Sequence, residues 1–418
     1  MKLIRLACSL VPLSTLLLAL VDGCSGGGAN VGGGDEDGGA SAQDGDVTLD
    51  GATSDAQLPQ DGASSTEPAV GCIDPTSTSV APTFERRTVA NAEARHALCN
   101  DGTPAVYYVR RGTGCGVGRW VIGLEGGGSC NTPAECAARE IGQKSSSAST
   151  PTKALGGVFS SDPAQNPDFF TANGVYVDYC SSDNWVGRRD ASADTNGFGF
   201  HGKDIFAAVL EDLSAETTSA PNLAAATEIL LAGSSAGGLG VVGNADVVKE
   251  RFPKARVRAI DDAGWVADMQ SYAPPGQTGL PVTAELDARI AYWTGVPDAS
   301  CAAVESAHLG RCSVGSVVFP YLSVPMFVHQ DLRDPVQLTM LGVNAAPSAA
   351  EKTKYRDAFA ASLRASLGPV TGVFSPNAGD HGIVFSPSFA TRTAGGASMR
   401  ETLGNWYFER AGAKKVVE

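Results

Sequence analysis

The sequence has few of the residues and motifs from which metal and nucleic-acid sites are built. It contains only five histidines in 418 residues, and no two of its ten cysteines are spaced C-x-x-C, so zinc binding is not expected. The net charge is −14 and no basic stripe is present, which argues against a nucleic-acid partner. We therefore predict a protein without metal or cofactor.

Residues 25–70 lack lysine, arginine and aromatic side chains altogether. They include nine acidic residues in a background of Gly, Ser and Ala, a composition that cannot bury a core and predicts a flexible, self-repelling tether. The remaining residues 71–418 are only mildly acidic and show no second break in composition. We predict one large folded domain there.

Residues 1–24 have the layout of a secretory signal, because Lys2 and Arg5 precede an apolar run that ends in "LVDGC". This ending resembles the lipobox of bacterial lipoproteins, so Cys24 is the predicted lipid anchor and the protein is expected on a bacterial membrane. Asp22 is an unusual neighbour for that cleavage site, so ordinary cleavage and free secretion stay open. Both routes export the protein.

Eight cysteines remain beyond the signal and the anchor. An even number in an exported chain is typical of disulfides. Sequence spacing suggests three local pairs and leaves a fourth, although spacing does not determine connectivity: Cys99 with Cys115, Cys130 with Cys136, Cys301 with Cys312, and Cys72 with Cys180.

The folded part alternates between patterns of strand and helix. Strands are predicted at 105–112, 118–128, 173–182, 226–233, 255–264 and 323–331, and helices at 202–217 and from about Gly237. Such alternation predicts an α/β fold with a mostly parallel sheet and helices on both faces. Residues 271–281 and the region to about Gly315 interrupt the rhythm, which predicts insertions or a lid.

The motif "GSSAG" at 233–237 has the G-x-S-x-G pattern of a nucleophile elbow. Small residues allow a sharp turn from strand to helix and leave Ser235 exposed at the helix N-terminus. Five residues are a weak signal in a glycine-rich chain, and a tight turn needed only for packing is the alternative. The preceding strand and the following helical pattern favour the nucleophile.

A serine nucleophile needs a base and an acid that orients the base. The expected order of serine, acid and histidine leaves three histidines, of which His381 in glycine-flanked loop sequence is preferred to His308 and His329. Asp331 and Asp334 both follow a predicted strand and are the candidate acids. Asp380 adjoins His381 and is expected to cap its loop instead.

Acyl transfer also needs hydrogen-bond donors that face the developing oxyanion. The cluster Gly126–Gly128 ends a predicted strand and offers backbone N–H groups without side chains. We predict Gly127, Gly128 and Ala236 as these donors. A phosphate-binding loop is the rival interpretation, but no G-K-[ST] follows.

Together these residues resemble the pectin acetylesterase family, which includes the animal carboxylesterase Notum. The matching segments span about Cys99 to Gly382, and they include "WVIGLEGGGSC", "LLAGSSAGGLG", "IDDAGW", "VPMFVHQDLRDPVQL" and "GDHG". The resemblance implies an α/β-hydrolase-like fold and a triad of Ser235, Asp334 and His381. It also implies a structural role for Asp262.

The chain departs from the family pattern at two places. Ser129 follows the three glycines where the family usually has Trp, which predicts a smaller or more polar wall beside the acyl group. Ala378 and Gly382 occupy positions near His381 where the family commonly has cysteines, so that loop lacks its disulfide.

The resulting prediction is an exported carboxylesterase that hydrolyses an O-acyl ester, with acetyl on a polysaccharide as the first guess. Three alternatives stay open: a lipase-like deacylase with a deep apolar pocket, a glycan-binding protein without catalysis, and a serine peptidase. The sequence makes no prediction of the oligomeric state.

Overall fold

The computed structural model describes residues 81–215 and 222–418, so the signal, the tether, Cys24 and Cys72 lie outside the described residues. The strands are β1 (Thr83–Thr88), β2 (Val106–Arg110), β3 (Arg119–Leu124), β4 (Thr152–Ala154), β5 (Asn173–Val177), β6 (Glu228–Ser234), β7 (Arg256–Asp262), β8 (Met326–His329), β9 (Gly372–Ser375), β10 (Thr393–Ala394), β11 (Ala397–Ser398) and β12 (Lys415–Val417). The α-helices are α1 (Pro133–Ala138), α2 (Gly202–Ala215), α3 (Ala236–Arg251), α4 (Val282–Trp293), α5 (Ala299–Val304), α6 (Gly315–Val318), α7 (Pro335–Met340), α8 (Ala349–Ser366), α9 (Ser388–Thr391) and α10 (Met399–Tyr407). None of the helices in this part of the chain is both long enough and apolar enough to cross a membrane.

Ten strands form one mixed sheet in the order β12-β9-β8-β7-β6-β3-β5-β2-β1-β4. The strands from β12 to β5 pair in parallel, and β2, β1 and β4 extend the sheet in antiparallel pairs. Parallel neighbours require crossover connections, and helices such as α3 between β6 and β7 supply them. The predicted α/β-hydrolase-like fold is confirmed.

The central strands are buried on both faces because helices cover each side. In β6, Ile229 and Leu231 belong to one core cluster, whereas Leu230 and Ala232 belong to the other. Helices α2, α3 and α8 pack on the first face, and α9 and α10 pack on the second. Burial on both faces explains why these strands are continuous apolar runs.

Disulfides cross-link segments around this sheet. Two predicted pairs are confirmed: Cys130–Cys136 and Cys301–Cys312. The predicted pairs 99/115 and 72/180 are wrong, because Cys99 is bonded to Cys180 across 81 residues of sequence. These two cysteines lie next to the paired strands β2 and β5, a proximity that spacing cannot reveal; Cys115 is also disulfide-bonded.

The predicted functional residues follow the carboxyl ends of four parallel strands. The glycines 126–128 follow β3, Ser235 follows β6, Asp334 follows β8 and His381 follows β9. Carboxyl ends of parallel strands lie at the same edge of a sheet, where open α/β folds bind ligands. The topology therefore brings these residues to one edge.

Candidate active site

Ser235 lies in the sharp turn between β6 and α3. Its backbone angles are φ 58° and ψ −119°, a conformation that costs a non-glycine residue roughly 1–3 kcal/mol. The turn is held by a 2.7 Å hydrogen bond from the Ser235 N–H to the carbonyl of Asp262, the last residue of β7. The side chain is thereby presented at the N-terminus of α3, which is the geometry of a nucleophile elbow.

The imidazole of His381 bridges Ser235 and Asp334. Nε2 lies 2.8 Å from Oγ of Ser235, and Nδ1 lies 2.8 Å from Oδ2 of Asp334. Asp334 is fully buried, while the His381 side chain is 20% exposed. With Nδ1 as the donor to the carboxylate, Nε2 is left to accept the hydroxyl proton.

Several donors fix the orientation of the Asp334 carboxylate. Oδ1 accepts the backbone N–H groups of Val336 and Gln337, so Asp334 is the N-cap of α7. Oδ2 accepts Nε2 of Gln330 at 2.8 Å, and Nε2 of Gln337 in turn donates to Oε1 of Gln330. The helix cap and the two glutamine side chains together hold the carboxylate toward His381.

The other candidate acid, Asp331, has a different role. Its Oδ1 lies 3.2 Å from Nε2 of the buried His329, whose Nδ1 lies 2.5 Å from Oδ1 of Asp262. The Asp331 Oδ2 accepts the Asp380 N–H at 2.6 Å. The side chain of Asp380 pairs with Arg392 instead. The contact of Asp380 that holds the His381 loop is therefore made by its backbone N–H and not by its carboxylate.

The buried imidazole and its two carboxylates anchor the His381 loop. Burial alone would lower the pKa of His329, but the charge of Asp262 and hydrogen bonds to both carboxylates raise it to about 9. Burial would raise the pKa of Asp262, yet the His329 charge holds it below its usual value. The carboxylate of Asp262 also accepts hydrogen bonds from the N–H groups of Ile383 and Val384 at 3.1 and 3.0 Å. The charged network therefore binds the backbone on both sides of His381, at residue 380 and at residues 383–384.

The glycine loop after β3 lies beside the elbow. The Gly127 carbonyl accepts Nη2 of Arg139 at 2.7 Å, which orients that peptide group. Among the described residues, no hydrogen bond uses the N–H of Gly127 or Gly128 as its donor. Ala236 is the first residue of α3, so its N–H has no partner within the helix. These three N–H groups are available to an oxyanion at Ser235.

Two cavities meet at Ser235 and His381. The first has a volume of about 300 Å³. Its apolar lining includes Leu239, Ala267, Val282, Leu286, Met340 and Leu341. The second, of about 420 Å³, opens on the other side of the nucleophile between the glycine loop, Tyr176 and Phe385. An ester at Ser235 would therefore have its acyl and alcohol groups in separate cavities.

Helix α4, within the predicted insertion, forms one wall of the apolar cavity. The rim of that wall is polar because Arg289 donates to Ser129 Oγ at 2.5 Å and to Glu285 Oε1 at 2.5 Å. Ser129 thus joins the glycine loop to α4 by a hydrogen bond.

Comparison with known proteins places these features in a family. A model of the family described as "Pectinacetylesterase" matches residues 78–417. The chain belongs to the pectinacetylesterase family. It is 34% identical to the palmitoleoyl-protein carboxylesterase NOTUM of Mus musculus, over 74% of this chain and 62% of that protein. It is 27% identical to pectin acetylesterase 5 of Arabidopsis thaliana, over 83% and 91% of the two chains.

A solved structure shares the fold. The structure of the Wnt deacylase Notum from Drosophila has a TM-score of 0.71 and 29% identity, and the match covers 80% of this chain and 96% of that one. The chain spans less than two thirds of the length of the animal Notum proteins it matches. Membership in a family of carboxylic ester hydrolases is therefore shown.

The two departures from the family pattern have structural explanations. A Cβ at Gly382 would lie 2.2 Å from Oγ of Ser234, and the backbone φ there is +76°, so only glycine lets this loop approach the elbow so closely. The charged network around His329 anchors the loop that lacks the family's cysteines. Ser129 makes the wall more polar, as expected, through its bond to Arg289.

Sequence reasoning missed several residues around the site. A structural role is expected for Asp262, and His329 is only a less preferred candidate base, but nothing in the sequence indicates that the two residues hold the His381 loop. The contact of Arg139 with the glycine loop and the contact of Arg289 with Ser129 join residues 12 and 160 positions apart. No local motif marks either arginine.

Proposed function

We propose that this protein is an exported serine carboxylesterase whose substrate carries an apolar acyl chain longer than acetyl. The observation that carries the proposal is the hydrogen-bonded series Ser235, His381 and Asp334 at the mouth of an apolar cavity. Membership in the pectinacetylesterase family supports the reaction class. The apolar lining supports the length of the acyl group.

In the proposed mechanism Ser235 Oγ attacks the ester carbonyl while His381 Nε2 accepts its proton. Asp334 orients the imidazole and stabilises its positive charge. The N–H groups of Gly127, Gly128 and Ala236 stabilise the oxyanion. His381 then protonates the leaving alcohol, and the same residues activate a water molecule that hydrolyses the acyl-enzyme.

The cavity volume favours a long acyl group over acetyl. An apolar cavity of about 150 Å³ already holds a benzene molecule. The apolar cavity at Ser235, with its volume of about 300 Å³, is twice as large. Each methylene transferred from water to such a lining contributes about 0.8 kcal/mol. An acetyl group would use little of this available binding energy. The palmitoleoyl specificity in the names of the Notum relatives supports the same choice.

The second candidate substrate is an acetyl ester on a polysaccharide. It is favoured by a polar cavity next to the second cavity at Ser235, which would hold the alcohol group of the ester. This cavity of about 260 Å³ shares Gly126 with the second cavity at Ser235. It is lined by Glu125, Lys153 and Asp178, and Lys153 forms ion pairs with both carboxylates. The match to pectin acetylesterase 5 supports this alternative.

Hydrolysis of p-nitrophenyl acetate, butyrate and octanoate distinguishes the two candidates. We expect kcat/KM to rise along the series by about fourfold per methylene, until the cavity is filled. A maximum at acetate would instead support the polysaccharide acetylesterase. A folded protein that cleaves none of these esters would contradict the esterase and favour a glycan-binding protein.

Blocking the cavity should remove the preference for long chains. Val282→Trp adds a bulky side chain where α4 lines the cavity, so we expect kcat/KM for octanoate to fall by about 10- to 100-fold, equivalent to the loss of about two to three buried methylenes. Activity on acetate should change by less than about threefold. Val304→Trp, at a 64% exposed site outside both cavities, is the matched control. Equal losses on both esters in Val282→Trp would show that the cavity does not hold the acyl chain.

We also propose the domain organisation and destination predicted from the sequence. The disulfides among the described residues support an oxidising compartment, and thus export. The signal in residues 1–24, the lipid anchor at Cys24, the tether at 25–70 and the esterase domain at 71–418 stay predictions. Membrane fractionation of wild type and Cys24→Ser, which should release the protein, tests the anchor.

A further inference from the structure

Two histidines and an aspartate converge at a surface site that is separate from the ester site. His96 follows the short turn Glu93–Arg95, Asp190 follows a bridge between Arg189 and Phe200, and His201 precedes α2. Nδ1 of His96 lies 3.2 Å from Oδ1 of Asp190, and Nε2 of His201 lies 3.7 Å from the same oxygen. One atom from each of the three residues falls within 4.8 Å of the others.

These separations are close to those of metal ligands. Ligands about 2.1 Å from a tetrahedral Zn²⁺ lie about 3.4 Å from one another. The two nitrogen-to-oxygen distances bracket this value, and one ring nitrogen of each imidazole lies within 4.8 Å of the other. His96 and Asp190 have side chains that are 60% and 77% exposed, so a small adjustment of these two groups completes the geometry.

The state of His201 is a second, independent indication of a ligand. The residue is only 5% exposed. Within the described part of the chain its Nδ1 is buried without a hydrogen-bond partner, and its Nε2, the atom that would bind the metal, lies 3.7 Å from Oδ1 of Asp190. Buried polar atoms are almost always satisfied. A buried imidazole with one unsatisfied ring nitrogen, whose other nitrogen lies at ion-pair rather than hydrogen-bond distance from a carboxylate, therefore requires an explanation.

The surrounding backbone keeps Nε2 of His201 accessible. A Cβ at Gly199 would lie 2.8 Å from this nitrogen, so any other residue there would cover it. Nδ2 of Asn100 donates to the Gly199 carbonyl at 2.6 Å. The disulfide between Cys99 and Cys180 holds the adjacent chain. The site is thus built on segments whose relative positions are already fixed.

We propose that His96, Asp190 and His201 form a binding site for a divalent transition metal, with Zn²⁺ as the best match. Two imidazoles and one carboxylate suit zinc, and solvent would complete the coordination. The metal would join the turn at 93–96 to the loop before α2, so its role is to stabilise the fold. The site is independent of the proposed esterase activity. The spacing of 96, 190 and 201 forms no recognisable motif, which is why the sequence predicts no metal.

Zinc titration of the tag-free, chelator-treated protein tests the site. We expect one Zn²⁺ bound per chain by isothermal titration calorimetry. Zinc at 100 times its Kd should raise Tm by about 4 °C. His96→Gln and Asp190→Asn alter exposed side chains and should fold normally, and each should weaken zinc binding by about 100-fold or more, because loss of an outer hydrogen-bond partner of a ligand alone costs 10- to 100-fold.

His308→Gln is the matched control. His308 is an exposed histidine 3.0 Å from the carboxylate of Asp287, and in the described part of the chain no third ligand-bearing side chain completes a site with them. This variant should bind zinc as wild type does. Absence of saturable zinc binding to wild type would overturn the proposal. It would also be overturned if His96→Gln and Asp190→Asn kept the wild-type affinity, since the zinc would then be bound elsewhere.

Discussion

Ser235→Ala is expected to lower kcat for ester hydrolysis by a factor on the order of 10⁶. Loss of a serine nucleophile from a triad has an effect of this size, and the remaining rate comes from binding and the oxyanion donors. The strained turn and its 2.7 Å backbone hydrogen bond to Asp262 do not involve the hydroxyl, so the variant should fold. Steady-state hydrolysis of p-nitrophenyl octanoate, together with thermal unfolding, measures both effects.

Ser234→Ala is the matched control for this prediction. Ser234 lies in the same motif, but its Oγ faces Gly382 rather than His381, so kcat should stay within about tenfold of wild type. A fluorophosphonate probe should label wild type and Ser234→Ala but not Ser235→Ala. Two results would show that Ser235 is not the nucleophile. One is labelling of Ser235→Ala by the probe, and the other is full loss of activity in Ser234→Ala while Ser235→Ala stays active.

His329→Gln is expected to destabilise the fold by about 3–5 kcal/mol, because it leaves two buried carboxylates without their positive partner. The carboxylates of Asp262 and Asp331 also hold the backbone on both sides of His381. Displacement of His381 by about 1 Å would lower kcat by about 100-fold, with little change in KM. Urea unfolding and steady-state kinetics measure the two effects separately.

The pH dependence of the unfolding free energy shows whether His329 stabilises the fold through its charge or only through its packing. Its folded pKa of about 9 is above the unfolded value of 6.5, so its contribution to stability is complete below pH 6.5 and is lost as the pH rises through 9. The difference in unfolding free energy between wild type and His329→Gln should therefore be larger at pH 6 than at pH 10. A constant difference would mean that His329 acts through packing alone. His308→Gln, which removes an exposed pair, should cost less than about 1 kcal/mol at either pH.

The parts of this molecule that could be predicted from its sequence are those that depend on local pattern. Strand β6 and the start of α3 follow directly from an apolar run and the small residues at 233–237. The alternation of strands and helices was sufficient for the fold class. The two confirmed disulfides are the local ones, between cysteines six and 11 residues apart.

The parts that could not be predicted depend on contacts between distant segments. The Cys99–Cys180 bond requires knowing that β2 and β5 are neighbours. The choice of Asp334 over Asp331 came only from the family resemblance, because both aspartates follow the same strand. The structure separates them by their partners: one contacts His381, and the other contacts His329. Side-chain networks of this kind have no periodicity in the sequence.

The anchoring of the His381 loop also determines when the site can exist during folding. The segments joined by His329 are β7, β8 and residues 380–384, which approach one another only when β7, β8 and β9 have paired. A partly folded chain contains every residue of the site but lacks the alignment of His381 with Ser235. Ester hydrolysis should therefore report the native population of the chain. Because no disulfide flanks His381, that alignment does not depend on oxidation of cysteines beside the loop.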